Sequence, residues 1–424
     1  MINNYKKTTL KNGLRIITVP SKNTRTVAVL VLVKTGSKYE TKDINGISHF
    51  LEHMFFKGTK KYPSTLKLIE PLDKIGGIYN AFTGDEYTGY WVKVDAGHLN
   101  LALEWVSDIY LNSKIAQEEI DREKGTILQE LNMYLDTPMR YVSNLWTDLL
   151  YGDQPAGWDI LGTEKVIKKA KREQFVKYLK EHYSSKNTII AIVGNINHKT
   201  TIDKIKKYFK PINNNLVKDK LPVKEVQSKP ESLIHYKDTD QTHLLLGVRA
   251  YNTFHPDKYV LGLLAVILGG NMSSRLWISV RERQGLAYYI GSSTDTDTDA
   301  GFFVTRAGVN NQKTEKAIIT ILNEYKKISQ KKITLAELKK AKDYIKGTSL
   351  IGMESLDEQA SFYASQELLT NEILTLEKKF SKMNEVTVND IQRVAKDIFK
   401  PEKLNLALIG PFKDKKRFEK ILKI

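Results

Sequence analysis

The segment Gly46-Ile47-Ser48-His49-Phe50-Leu51-Glu52-His53-Met54-Phe55-Phe56-Lys57-Gly58-Thr59 sets two imidazoles four residues apart, with a carboxylate just before the second. In an α-helix, residues i and i+4 lie on one face, one turn apart. Two neutral imidazole nitrogens so arranged can share one Zn²⁺ at about 2.0–2.1 Å each. Glu52, three residues after His49, falls near the same face and can reach a water on the metal. The order H-x-x-E-H inverts the commoner H-E-x-x-H. The plain alternative is a chance pattern on a solvated helix. The neighbours argue against it, because the stretch is apolar and buried ionisable groups need partners. A metal is the simplest partner.

Outward from this segment, the length of 424 residues exceeds one ordinary core and predicts two or more domains. Lys and Arg number 66 against 49 Asp and Glu, a net charge of +17. Such a balance can serve nucleic acid, an anionic membrane or acidic substrates. Here the lysines are spread along the chain, as Lys57, Lys60, Lys61, Lys168, Lys169 and Lys171 illustrate, and no arginine-rich arm accompanies them. The expectation is a solvated lysine-rich surface with no nucleic-acid partner. The absence of cysteine excludes disulfides, cysteine zinc sites and a cysteine nucleophile. Met1-Ile2-Asn3-Asn4-Tyr5-Lys6-Lys7 contains no apolar leader core, and the apolar runs 27–33 and 260–268 are too short to span a bilayer. These features predict a cytoplasmic protein with no membrane partner.

The secondary-structure signals mix rather than alternate strictly. An Asn12-Gly13 turn separates two short strands, and β-rich runs follow at 26–34, 78–82 and 88–94. The His-containing segment reads as a helix over about 46–56, and long helical patterns cover 96–111, 118–135 and 139–151. This predicts an α+β fold. The chain then repeats itself. A helix followed by Asn187-Thr188-Ile189-Ile190-Ala191-Ile192-Val193-Gly194 recurs as a helix followed by Lys403-Leu404-Asn405-Leu406-Ala407-Leu408-Ile409-Gly410, an offset of 410 − 194 = 216 positions. Self-similarity in two copies predicts a duplicated domain. The Lys-, Asn- and Pro-rich stretch between the copies reads as a linker. The expected division is 1–215, linker 216–233, and 234–424. The same offset carries His49 onto Ala265 and His53 onto Gly269, so only the first domain has the metal motif.

Two histidines do not complete a catalytic zinc site, which normally has three protein ligands and a water. Glu123 and Glu130, seven apart, share one face of the 118–135 helix. Glu130 lies among Ile127, Leu128 and Leu131, where a free carboxylate is costly. By pattern alone it is a candidate third ligand beside the ordinary alternative of a solvated acidic residue.

Taken together, His49-Phe50-Leu51-Glu52-His53, a Glu 77 residues after the second His and another Glu seven before that one resemble the pitrilysin family of inverzincin zinc peptidases. The likeness extends over nearly the whole chain and looks like the bacterial, processing-peptidase-like branch. Gly76-Gly77-Ile78-Tyr79-Asn80-Ala81-Phe82-Thr83, Tyr151-Gly152-Asp153-Gln154-Pro155, Leu268-Gly269-Gly270-Asn271-Met272-Ser273-Ser274-Arg275-Leu276 and Arg281-Glu282-Arg283-Gln284-Gly285-Leu286-Ala287-Tyr288 all share it. Gln284 departs from it mildly, standing where relatives often carry a basic residue.

The resemblance implies two homologous domains, each a mainly antiparallel sheet packed with helices. It implies His49, His53 and Glu130 as Zn²⁺ ligands, Glu52 as general base, and Glu123 as the carboxylate orienting a ligand histidine. Asn80 and Ala81 would pair with an extended substrate. Arg281 would anchor its backbone, and Tyr288 would stabilise the oxyanion. The activity it implies is zinc-dependent cleavage of unfolded peptides in a chamber formed by two subunits of a homodimer, Arg281 and Tyr288 serving the partner's site. The alternatives within the same fold are a non-proteolytic structural or peptide-binding subunit, and the zinc-bearing half of a heterodimer.

Overall fold

The computed structural model describes residues 5–424; Met1–Asn4, which open the segment read as lacking a leader, lie outside them. The chain is α+β and forms two compact units. The first contains a six-stranded sheet of β1 (Lys6–Thr9), β2 (Arg15–Pro20), β3 (Thr26–Val33), β4 (Ile78–Thr83), β5 (Thr88–Asp95) and β6 (Thr188–Gly194). Their order is β1-β2-β6-β3-β5-β4, antiparallel except where β2 runs parallel to β6. The β1–β2 turn sits at Asn12-Gly13 as the sequence predicts, with Gly13 at φ 88°, a region that glycine enters without a Cβ clash. β3 is buried along Val27–Val33, its continuous apolar run being covered on both faces.

The second unit carries β7 (Glu231–Tyr236), β8 (Gln241–Arg249), β9 (Ala287–Thr296), β10 (Gly301–Asn310) and β11 (Leu404–Gly410), ordered β7-β11-β8-β10-β9. Strand for strand this repeats β2-β6-β3-β5-β4, including one parallel pair, β7 with β11. The duplication read from the 216-residue offset is thus visible as topology. The helix α1 (Ile47–Met54) has its counterpart in the helix Lys258–Gly269, whose eight core residues include Ala265 and Gly269. Freed of ligands, that helix is apolar nearly all round.

The compact units differ from the contiguous division expected at 215 and 234. The first comprises 1–131, 159–221 and 350–375, and the second 132–158, 222–349 and 376–424. Each copy therefore lends the other one helix. The helix Pro138–Tyr151 buries Val142, Leu145, Trp146 and Leu150 against Leu245, Val304, Ala407 and Ile409 of the second sheet. The helix Leu356–Thr370 packs on β3 and β6. It is fastened there by Lys7 Nζ to Glu367 at 2.7 Å and Lys93 Nζ to Asp357 at 2.8 Å. An apolar helix face specifies that a sheet must cover it, not which of two homologous sheets does so. Among the described residues no helix is long and apolar enough to cross a membrane.

Candidate metal centre

The site is built on two helices of the first unit, α1 and Gln117–Leu135. α1 is short, and its placement depends on what holds its N-terminus. Gly46 caps it at φ 93°, and a Cβ there would lie 2.4 Å from the Leu161 carbonyl oxygen, so only glycine fits. The buried Glu40 carboxylate accepts the backbone N–H of Gly46 at 2.7 Å, that of Ser48 at 2.8 Å and the Asn45 side-chain amide at 3.0 Å. The two backbone donors are among those a helix start leaves unpaired. Burial pushes the Glu40 carboxyl up to about 7 against their pull. Ser48 Oγ and Tyr178 OH meet at 2.8 Å, and Phe50 packs edge-on to Phe175. Leu51 and Met54 complete the inner face.

On the second helix Ile120, Ile127 and Leu131 face the core, and Glu123 and Glu130 share a stripe beside them. The two helices pair their polar stripes as a ladder. His49 Nε2 lies 3.5 Å from Glu130 Oε2, and His53 Nε2 lies 3.4 Å from the same oxygen. His53 Nδ1 donates to Glu123 Oε1 at 2.9 Å, and Lys57 Nζ donates to Glu123 Oε2 at 2.5 Å. One ligand atom from each of His49, His53 and Glu130 falls within 4.8 Å of the others. Glu52 lies on α1 next to His53 and accepts the Thr83 hydroxyl proton at 2.6 Å.

Burial depresses His49 to about 4, with neighbouring His53 adding to the effect and Glu130 opposing it. Burial also works against the charged form of His53, but the hydrogen bonds and charges of Glu123 and Glu130 outweigh it and raise that imidazole to about 9. Burial disfavours the Glu123 anion, yet His53 and Lys57 hold the carboxyl below its usual range; for Glu130 the His53 hydrogen bond leads in the same direction. Burial raises Glu52, while the Thr83 hydrogen bond pulls it down.

The residues fit a divalent metal. The ligand atoms of His49, His53 and Glu130 lie close enough together for one cation to bind all three. With both imidazoles neutral, three carboxylates (Glu52, Glu123, Glu130) and one ammonium (Lys57) sum to −3 + 1 = −2, the complement of a dication. Two imidazoles and one carboxylate are a donor set suited to catalytic zinc. The Glu123 carboxylate on His53 Nδ1 would hold the tautomer that leaves Nε2 available to a metal.

A cavity of about 270 Å³ opens beside the ligands, lined by Glu52, His53, Phe56, Lys57, Tyr79 and Asn80. Asn80 and Ala81 lie on β4, the edge strand of the first sheet. The Ala81 N–H donates to the Asn80 side-chain oxygen at 2.9 Å. Arg281 and Tyr288 belong to the second unit and come together there. The Arg281 guanidinium lies 4.2 Å from the Trp277 ring centroid and 5.7 Å from that of Tyr288, whose side chain is largely exposed. Arg281 rides on a π-helical turn, Trp277–Glu282, and Tyr288 on β9.

Sequence reading missed Glu40, Thr83 and Trp277, and it counted Lys57 with the solvated lysines. For Lys57 a signal existed: His49, His53 and Lys57 recur at i, i+4 and i+8, opposite two glutamates seven apart.

Fold and site together define a class: duplicated α+β proteins with an inverted His-Glu-His metal motif in one copy alone. The chain belongs to peptidase family M16, the pitrilysin or insulinase family, in its bacterial branch. Residues 15–164 match the family described as "Insulinase (Peptidase family M16)", and residues 169–345 match "Peptidase M16 inactive domain". The second match spans Ala265 and Gly269, the positions that the 216-residue offset sets against His49 and His53. A Bacillus subtilis protein named an uncharacterized zinc protease is 35% identical over 96% of this chain and 98% of its own length. A crystal structure of a protease from Helicobacter pylori superposes with a TM-score of 0.90 at 26% identity, covering 96% of this chain and all of that one. A chain of Complex III2 from Candida albicans shares the fold alone, with a TM-score of 0.86 at 19% identity, covering 99% of this chain and 100% of that one.

Proposed function

We propose that the protein is a zinc-dependent endopeptidase that cleaves extended, unfolded peptides. The observation that carries this reading is the convergence of His49, His53 and Glu130 within 4.8 Å, with Glu52 beside them. A zinc ion held by those three residues would lower the pKa of a bound water and polarise the scissile carbonyl. Glu52 accepts the proton of the attacking water and delivers it to the leaving amine. Its burial keeps the carboxyl basic enough for the first task, and Thr83 aims it. Glu123 holds His53 in its tautomer, and Asn80 and Ala81 receive the peptide backbone at the β4 edge.

The second half of the reading is that the chain works as a homodimer. Arg281 would bind substrate backbone and Tyr288 would donate to the oxyanion, each acting at the zinc centre of the partner. The largely exposed Tyr288 and the Arg281 stacked on Trp277 support it, since both side chains lie outside their own unit's core. A cytoplasmic place of action belongs to the same proposal.

Metal analysis of the purified protein, combined with cleavage of an unstructured peptide library, tests the reading. One zinc per chain and chelator-sensitive cleavage are expected. Cleavage that survives complete metal removal, or no cleavage at full zinc occupancy, would overturn it.

A further inference from the structure

We propose that Lys57 is a positioning residue of the metal centre, acting through Glu123. This rests on the zinc reading of His49, His53 and Glu130.

Lys57 lies three residues past the end of α1. Its backbone N–H bonds the Met54 carbonyl at 3.1 Å, and the chain turns away at Gly58, where φ is 108°. Lys57 thus sits four residues past His53 on a turn bonded to the end of α1. Its ammonium reaches Glu123 Oε2 at 2.5 Å while the other oxygen takes the His53 Nδ1 proton at 2.9 Å. Glu123 is 5% exposed, so both carboxylate oxygens are committed inside the protein. A carboxylate gripped at one oxygen alone can rotate about its χ angles; gripped at both, it has one orientation. Because the Lys57 backbone is fixed to the end of α1, the ammonium ties Glu123 to the same helix that carries both histidines. It also cancels one of three negative charges, leaving the −2 that suits a dication.

An ordinary surface lysine would do none of this, and its loss would cost almost nothing. Partners behind a metal ligand typically govern 10–100-fold in metal affinity or activity. The expected result for Lys57→Met is about tenfold weaker zinc binding by chelator competition, and a kcat lower by about tenfold or more with KM changed less than about twofold. Lys57→Arg, which keeps a cation and N–H donors, restores most of both.

Two results overturn the assignment while leaving the zinc reading intact. One is Lys57→Met binding zinc within twofold of the parent. The other is a raised KM at unchanged kcat, which would make Lys57 a wall of the substrate cavity only. If Lys57→Met does not fold, Lys57→Gln carries the same expectations and the same two refuting results. A parent chain that binds no zinc would remove the metal reading and this proposal together.

Discussion

Glu40 accepts the backbone N–H of Ser48 at 2.8 Å, one residue before the first candidate metal ligand. The other carboxylate oxygen takes Gly46 N–H and the Asn45 amide, so one buried side chain satisfies the start of α1. The helix is only eight residues long and cannot hold its direction by its own hydrogen bonds. Glu40→Gln replaces an accepting oxygen by an NH₂ facing N–H donors. It should cost about 1–3 kcal/mol of unfolding free energy and weaken zinc binding. Urea unfolding of the metal-free chain measures the first effect and chelator competition the second. A variant as stable as the parent, with unaltered zinc affinity, would show that Glu40 does not set the helix.

Glu52 and Thr83 make a prediction about the pH profile of cleavage. Glu52→Gln removes the proton acceptor but no ligand, so zinc content should stay at the parent level. The rate should fall by about 10²–10⁴-fold. Thr83→Val is subtler. The Thr83 hydroxyl stabilises the ionised carboxylate against burial, which pushes it up. Without that donor the carboxyl rises further, so the acidic limb of kcat/KM should move to higher pH while the plateau is largely kept. A limb that stays put would separate Glu52 from the observed ionisation.

His53 connects protons to metal. In the metal-free chain the Glu123 and Glu130 carboxylates overcome burial and raise His53 to about 9, while burial holds His49 near 4. Between those limits the centre carries one proton that zinc must displace. Apparent zinc affinity should therefore rise about tenfold per pH unit from pH 6 to 8. The same shift has a stability consequence. A folded pKa of about 9 lies above the unfolded value of about 6.5. The contribution is thus full below about pH 6.5 and lost as pH rises through 9, on the order of 3 kcal/mol. His53→Gln should flatten that loss in chemical unfolding of the metal-free chain. Zinc affinity independent of pH from 6 to 8 would contradict the assignment.

What a sequence pattern can encode decides how much of this fold and site is legible in the sequence. The i, i+4 spacing of His49 and His53 fixes a shared helical face whatever surrounds it. The seven-residue step from Glu123 to Glu130 does the same on the facing helix. The 216-residue repeat carries the topology of one sheet onto the other. Contacts set by tertiary packing left no such mark. Nothing local tells Glu40 apart from a surface glutamate, since its N–H donors are supplied by a turn that forms only in the fold. The exchange of helices Pro138–Tyr151 and Leu356–Thr370 was hidden for a related reason. Trp146 and its neighbours announce an apolar face, and two homologous sheets offer similar apolar surfaces to receive it.

The composite-site proposal can be tested by mixing. Arg281 is held over Trp277 at 4.2 Å and lies by Tyr288, while His49, Glu52, His53 and Glu130 belong to the other unit. If catalysis joins the zinc centre of one subunit to the Tyr288 of another, Glu52→Gln and Tyr288→Phe disable different halves. Removing a single oxyanion donor costs about 10²–10³-fold in kcat, so each homodimer should be nearly inactive alone. A heterodimer of the two retains one site with an intact Glu52 and an intact partner Tyr288. Random exchange puts half of the dimers in that state, each with one of two sites working. Activity should thus return to about one quarter of the parent's on the composite-site arrangement. The mixture is brought to exchange equilibrium, confirmed by mass spectrometry of isotopically distinct chains, and assayed on an unstructured peptide. Exchange without recovery would place Tyr288 outside the partner's site, and a monomeric parent of full activity would exclude the arrangement outright.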